Sequence, residues 1–172
     1  MIRLVLFDID GTLILTGGAG MKAFAESFAG EFDLPHATET MNFAGRTDRG
    51  LACQVFRANQ IEPTQANFER FTEAYTQRLA KYLPADNTQP LPGVVELLDA
   101  IEAMANPPVL GLLTGNLPLG AELKLTHYHL WHRFKFGAFG DATEDRNEIA
   151  QSAFENAQGQ FPNLSSSQIL II

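Results

Sequence analysis

The sequence predicts an α/β fold, a parallel sheet with helices on both faces, interrupted after its first strand by an all-helical insertion. Three observations carry this expectation. Short apolar runs at Arg3–Phe7, Val109–Thr114 and the closing "ILII" alternate with segments of helical spacing. The middle third has helical periodicity and almost no strand signal. A chain of 172 residues, 45% of them apolar, is long enough to bury a real core as one domain carrying an insertion.

Taken in order, Arg3 to Phe7 is β-branched and leucine-rich, runs into Asp-Gly, and reads as a buried strand. Gly17, Gly18 and Gly20 mark a flexible exit from it. Apolar residues at helical spacing then predict helices over Met21–Phe32, Gly50–Ala58 and Pro63–Tyr82, with Pro63 in the first turn of the last. Three prolines in "PADNTQPLPG", Pro84 to Gly93, predict the return linker. The alternation resumes with a helix over Val94–Ala105, the strand "VLGLLT", a helix from Leu119 to His129, the short "FKFGAFG", and a helix from Arg146 to Ala157. The final "QILII" is expected to pair beside the first strand. The resulting division is a core of 1–15 and 85–172 with an insertion of 16–84, a unit within the usual domain size.

Composition excludes several function classes. Twenty acids against twelve bases give a formal charge of −8, which opposes broad binding of nucleic acid phosphates. Cys53 is the only cysteine, so no internal disulfide can form. The opening "MIRLVLFD" lacks the pattern of a signal peptide, and Pro107, Pro108, Gly111, Gly115, Pro118 and Gly120 break the longest uncharged stretch. No membrane association is expected, and the default location is cytoplasmic. The oligomeric state is not legible.

The chemistry concentrates at strand ends, where sites of such sheets lie. In "LFDIDGTL" the side chains of Asp8 and Asp10 share one side of an extended segment while Ile9 faces the other. Carboxylates that close repel unless a cation lies between them or one takes a proton. Both outcomes suit phosphoryl transfer, in which a divalent ion shields the ester and an acid protonates the departing oxygen. Gly11 permits a sharp turn, and Thr12 can cap the next element. A second strand ends in "LLTGN", and Thr114, Gly115 and Asn116 there offer a hydroxyl and backbone N–H groups suited to a phosphate.

With "DIDGT" and "LLTGN" in place, the chain resembles the haloacid dehalogenase-like superfamily, in its phosphoglycolate phosphatase-like branch. "FGAFGD" and "EDRNE" also look like stretches met in close relatives. The resemblance implies a Rossmann-like three-layer core, C-terminally truncated, with the insertion as a helical cap. It implies Asp8 as the nucleophile, Asp10 as the acid and base, Thr114 with the backbone of Gly115 and Asn116 as phosphate holders, and Lys124 as the lysine that sits between Asp8 and the phosphate. Asp8 and the Asp10 carbonyl would hold Mg2+. Dehalogenases of the superfamily lack an acid at the position of Asp10, which favours esters over halo acids. The family's fourth motif places metal-binding aspartates just after a further strand. Here the chain stops at Ile172, which implies either a fragment or a missing metal ligand, with Asp141 or Asp145 as substitutes to test.

In "FAGRTDRG", Arg46 is a candidate for a substrate carboxylate or second phosphate, against the rival reading of a helix start capped by Thr47 or Asp48. His127, His129 and His132 match no standard metal spacing. The acids of "DATEDRNE" read as a solvated loop entering a helix. The implied function is magnesium-dependent hydrolysis of a small phosphorylated metabolite such as phosphoglycolate. The alternatives are a phosphomutase on a sugar phosphate and a non-catalytic remnant.

Overall fold

The computed structural model describes residues 1–83 and 89–172. Its strands β1 (Leu4–Phe7), β2 (Val109–Leu113), β3 (Gly137–Ala138) and β4 (Ile169–Ile171) form one parallel sheet in the order β3-β2-β1-β4. Register places Leu4 beside Val109 on one flank and beside Ile169 on the other, so β4 does pair with the first strand. β1 is therefore central, and all four of its residues are buried, which explains why it reads as a continuous apolar run rather than an alternating one.

Alternate residues of β1 serve different layers. Val5 and Phe7 pack with Leu98 and Ile101 of α4 (Val94–Glu102) and Leu125 of α5 (Pro118–His127). Leu4 and Leu6 pack with Ile149, Ala153 and Ala157 of α6 (Arg146–Gln160). This three-layer core is Rossmann-like. The chain winds outward from β1 through β2 to β3, then crosses to β4 on the far side, so the winding reverses at β1. Such a reversal opens a crevice beyond the carboxyl ends of the strands.

The remaining helices, α1 (Ala19–Phe32), α2 (Asp48–Ala58) and α3 (Gln65–Tyr82), have their own apolar cluster. Phe24, Phe28 and Phe71 meet at centroid separations of 4.7 to 5.5 Å, and Leu117, just before α5, joins them. The aromatic spacing along α1 and α3 thus builds a second core above the sheet's carboxyl edge.

Local chemistry corrects some boundaries. α3 begins at Gln65 rather than Pro63, because Thr64 caps it, accepting from the Asn67 N–H at 3.2 Å. α4 ends at Glu102 rather than Ala105, ahead of Pro107 and Pro108, whose predecessors disfavour helix. Thr12 caps no helix; it lies in the turn at Gly11, where φ is 82° and the Gly11 N–H donates to the Ile14 carbonyl at 3.0 Å. Part of the expected linker, 84–88, with the boundary between insertion and core, lies outside the described residues. Among the described residues no helix is long and apolar enough to cross a membrane.

Candidate active site

β1 delivers two carboxylates to the crevice. The Asp8 N–H donates to the Ile172 carbonyl at 3.0 Å, which holds the strand end in the sheet, and its Oδ1 accepts from the Ile9 N–H at 2.8 Å. Ile9 is fully buried in the core, so Asp8 and Asp10 do face the opposite side together. Gly11 then turns the chain away.

Each carboxylate has its own cation. Lys124, nearly fully buried on α5, donates from Nζ to Asp10 Oδ2 at 2.7 Å and to Asn116 Oδ1 at 2.6 Å. Asn116 Nδ2 donates in turn to Asp10 Oδ2 and to Thr114 Oγ1, both at 2.8 Å. Lys124 thus holds Asp10, whereas the resemblance placed it against Asp8. Asp8 is instead paired with Arg146, whose Nη2 lies 3.0 Å from Asp8 Oδ2.

Arg146 lines the cavity beside Asp8, a place that the sequence-based expectation did not give it. The acids around it in "EDRNE" suggest only a solvated loop entering a helix, yet a signal lies among them. Arg146 is the first residue of α6, where the helix dipole disfavours a cation. A basic residue placed against the dipole needs a compensating anion, and Asp8 supplies it. Asp145, just before it, caps α6 by accepting from the Asn147 N–H at 2.8 Å. Asp141 contributes its backbone carbonyl, which accepts from Arg49 Nη1 at 2.9 Å.

The loop after β2 is held from above by the start of α2. Thr114 is buried, and its N–H donates to the Ala138 carbonyl at 3.1 Å. The Gly115 carbonyl accepts from the Asp48 N–H at 2.8 Å, and Asp48 Oδ2 accepts from the Leu117 N–H at 2.9 Å. A Cβ on Gly115 would overlap the Arg46 carbonyl oxygen, so only glycine allows this approach. Thr47 caps α2, accepting from the Gly50 N–H at 2.9 Å, which realises the helix-start reading of "FAGRTDRG". Arg46 is exposed at the crevice rim, with Nη1 donating to Gln54 Oε1.

These groups enclose a cavity of about 410 Å³ between the sheet edge and the three upper helices. Asp8, Asp10, Asn116, Lys124 and Arg146 form its floor, with Gly115, Arg46 and Asp48 at the side. Burial pushes the Asp48 carboxyl up to about 6 from an ordinary 3.8, against the opposing pull of Lys124. Burial, and then the charges of Asp48 and Asp10, raise the Tyr75 phenol well above its usual range.

For a metal, the available chemistry is that of Asp8 and Asp10. Among the described residues no group of three or more His, Cys, Asp or Glu gathers. The Asp8 carboxylate and the Asp10 backbone carbonyl are nevertheless hard oxygen donors of the kind Mg2+ takes, since that ion keeps several waters and fills other positions with phosphate oxygens. The donor set fits in kind.

Residues 5–172 match the sequence profile described as haloacid dehalogenase-like hydrolase. Protein CbbY of Rhodobacter capsulatus is 30% identical over 105 residues, 59% of this chain and 46% of that protein, so the match spans less than half of the curated relative. The crystal structure of CbbY from Rhodobacter sphaeroides in complex with phosphate superposes with a TM-score of 0.71 at 18% identity, covering 99% of this chain and 77% of that one. A predicted phosphoglycolate phosphatase from Haemophilus somnus gives 0.69 at 22% identity, covering 99% and 76%.

Proposed function

From the premise that this chain belongs to the haloacid dehalogenase-like hydrolase family, we propose that it hydrolyses a small phosphate monoester through an aspartyl-phosphate intermediate. The observation that carries this reading is the convergence of Asp8 and Asp10 with Asn116, Lys124 and Arg146 on the floor of one cavity. A carboxylate oxygen of Asp8 attacks phosphorus, and the bond from phosphorus to the ester oxygen breaks. Asp10 carries the proton to that departing oxygen, then takes a proton from the water that attacks the aspartyl phosphate. Inorganic phosphate leaves and the Asp8 carboxylate is restored.

The cations divide the electrostatic work. Arg146 lies beside the nucleophile and meets the phosphoryl oxygens, lowering the repulsion between two anions. Lys124 and Asn116 hold the Asp10 carboxyl in one orientation. Thr114 underlies Asn116, whose N–H donates to Thr114 Oγ1 at 3.3 Å, and the proposed phosphate cradle is the Gly115 N–H, joined by the Asn116 N–H when it turns from that hydroxyl to the phosphate. Asp8 and the Asp10 carbonyl would hold Mg2+, whose charge shields the ester. The helices of 16–84 act as a cap that closes water out, over a core of 1–15 and 85–172. Phosphoglycolate, the substrate that the sequence suggests, is the reference compound for specificity, because its carboxylate would face Asp48 and the apolar upper wall of the cavity.

The test is turnover of p-nitrophenyl phosphate with magnesium. Asp8→Asn keeps the shape and removes the attacking charge, and a loss of about a hundredfold or more is expected. Unchanged turnover in Asp8→Asn would reject this residue as nucleophile. Asp10→Asn should impair alkyl esters more than the p-nitrophenyl ester, because only the poorer leaving group needs the proton.

A further inference from the structure

We propose that the cavity selects phosphate monoesters of a compact, largely apolar alcohol, with a second anionic group on the substrate disfavoured; this rests on the reading of the site as a phosphatase. The upper wall is built by Met21 and Phe24 of α1, Phe43, Leu51 of α2 and the ring of Tyr75 on α3. Apolar walls with a few placed polar groups are the usual form of a small-molecule site, and this volume is at the small end of that range. A two-carbon acid would leave much of this surface in contact with trapped water.

Charge points the same way. Three cations line the cavity: Lys124 and Arg146 are paired with the carboxylates of Asp10 and Asp8 on the floor, where the phosphoryl group is read, and Arg46 lies at the exposed rim, donating to the neutral Gln54. The remaining polar side chains that line the cavity are those of Asp48, Tyr75 and Thr16. A Cβ on Gly20 would lie 3.6 Å from Lys124 Nζ and 3.7 Å from Tyr75 Oη, so the phenol reaches down toward the floor. Asp48 Oδ2 accepts from the Leu117 N–H, which fixes that carboxyl against the cavity side. A substrate carboxylate in the upper space would meet another acid and a ring of hydrocarbon. An apolar group would meet contact surface, and a hydroxyl or amine on it would find an acceptor.

The experiment compares two non-hydrolysable probes that share a phosphonate on a methylene, benzylphosphonate and phosphonoacetate, by calorimetric titration of the full chain with magnesium. Benzylphosphonate is expected to bind at least about tenfold tighter, because it buries a ring where the other probe places a charge. Met21→Lys adds a cation to the apolar wall at a position 54% exposed, where folding tolerates it, and should shrink or reverse that preference. Phosphonoacetate binding as tightly as benzylphosphonate, with that affinity lost in Arg46→Ala, would overturn the proposal in favour of an anion-reading Arg46. Failure of both probes to bind at millimolar concentration would overturn it as well. Failure of the phosphatase reading shows separately, as a benzylphosphonate preference in a protein that does not turn over p-nitrophenyl phosphate.

Discussion

Arg146 and Asp8, 138 positions apart in the chain, form an ion pair at 3.0 Å across the carboxyl edge of the sheet. The pair places a guanidinium beside the proposed nucleophile, at a helix start where the helix dipole opposes a cation.

Arg146→Ala should lower kcat/KM for p-nitrophenyl phosphate by about a hundredfold, the scale of losing one preorganised charge at a reacting centre. Because the helix dipole opposes a cation at that position, the melting temperature should hardly move. Arg146→Lys should recover part of the activity as a point charge without the fork geometry. A large loss of stability with unchanged kinetics would identify Arg146 as structural.

Lys124 differs, since its ammonium is buried between Asp10 and Asn116. Lys124→Met removes the donor of Asn116 Oδ1 and the charge partner of Asp10, whose Oδ2 still accepts from Asn116 Nδ2, and it should cost about 1–3 kcal/mol, less than a fully buried pair because the Asp10 side chain is 45% exposed. Adding Asp10→Asn should return part of that loss. A double-mutant cycle in urea measures it, and a coupling near zero would mean the pair contributes nothing.

Asp48 sets a pH dependence of stability. Its folded value of about 6 lies above its ordinary 3.8, so between those limits the folded chain binds the extra proton. Its contribution is therefore favourable below about pH 4 and is lost as pH rises through 6, by about 2–3 kcal/mol. Asp48→Asn keeps an acceptor for the Leu117 N–H but carries no charge. The advantage of Asp48→Asn over the parent in urea unfolding should grow from pH 4 to pH 7, and a constant difference would show that burial of this charge costs nothing.

Gly115→Ala tests how closely α2 approaches the loop after β2. The added methyl would meet the Arg46 carbonyl, a backbone atom with no rotamer to yield. Overpacking of this kind costs about 1–3 kcal/mol, which should appear as a melting temperature several degrees lower together with a raised KM. Unchanged values for both would mean that the start of α2 moves away freely.

Local signals in the sequence reach a long way. The run Leu4–Phe7, the pair Asp8 and Asp10, the turn at Gly11 and the Thr114–Asn116 loop are patterns of neighbouring residues, and alternation along an extended segment alone predicts that Asp8 and Asp10 face one side. The aromatic spacing of α1 and α3 likewise announces a separate helical unit. Which cation meets which carboxylate is not legible, because side chains more than a hundred positions apart meet only through the sheet order β3-β2-β1-β4. That order sets α5 where Lys124 reaches Asp10 and brings the start of α6 to Asp8. Asp48 and Tyr75, on different helices, share a cavity for the same reason: packing of the upper helices on the sheet edge, rather than any local preference, decides what surrounds a charge.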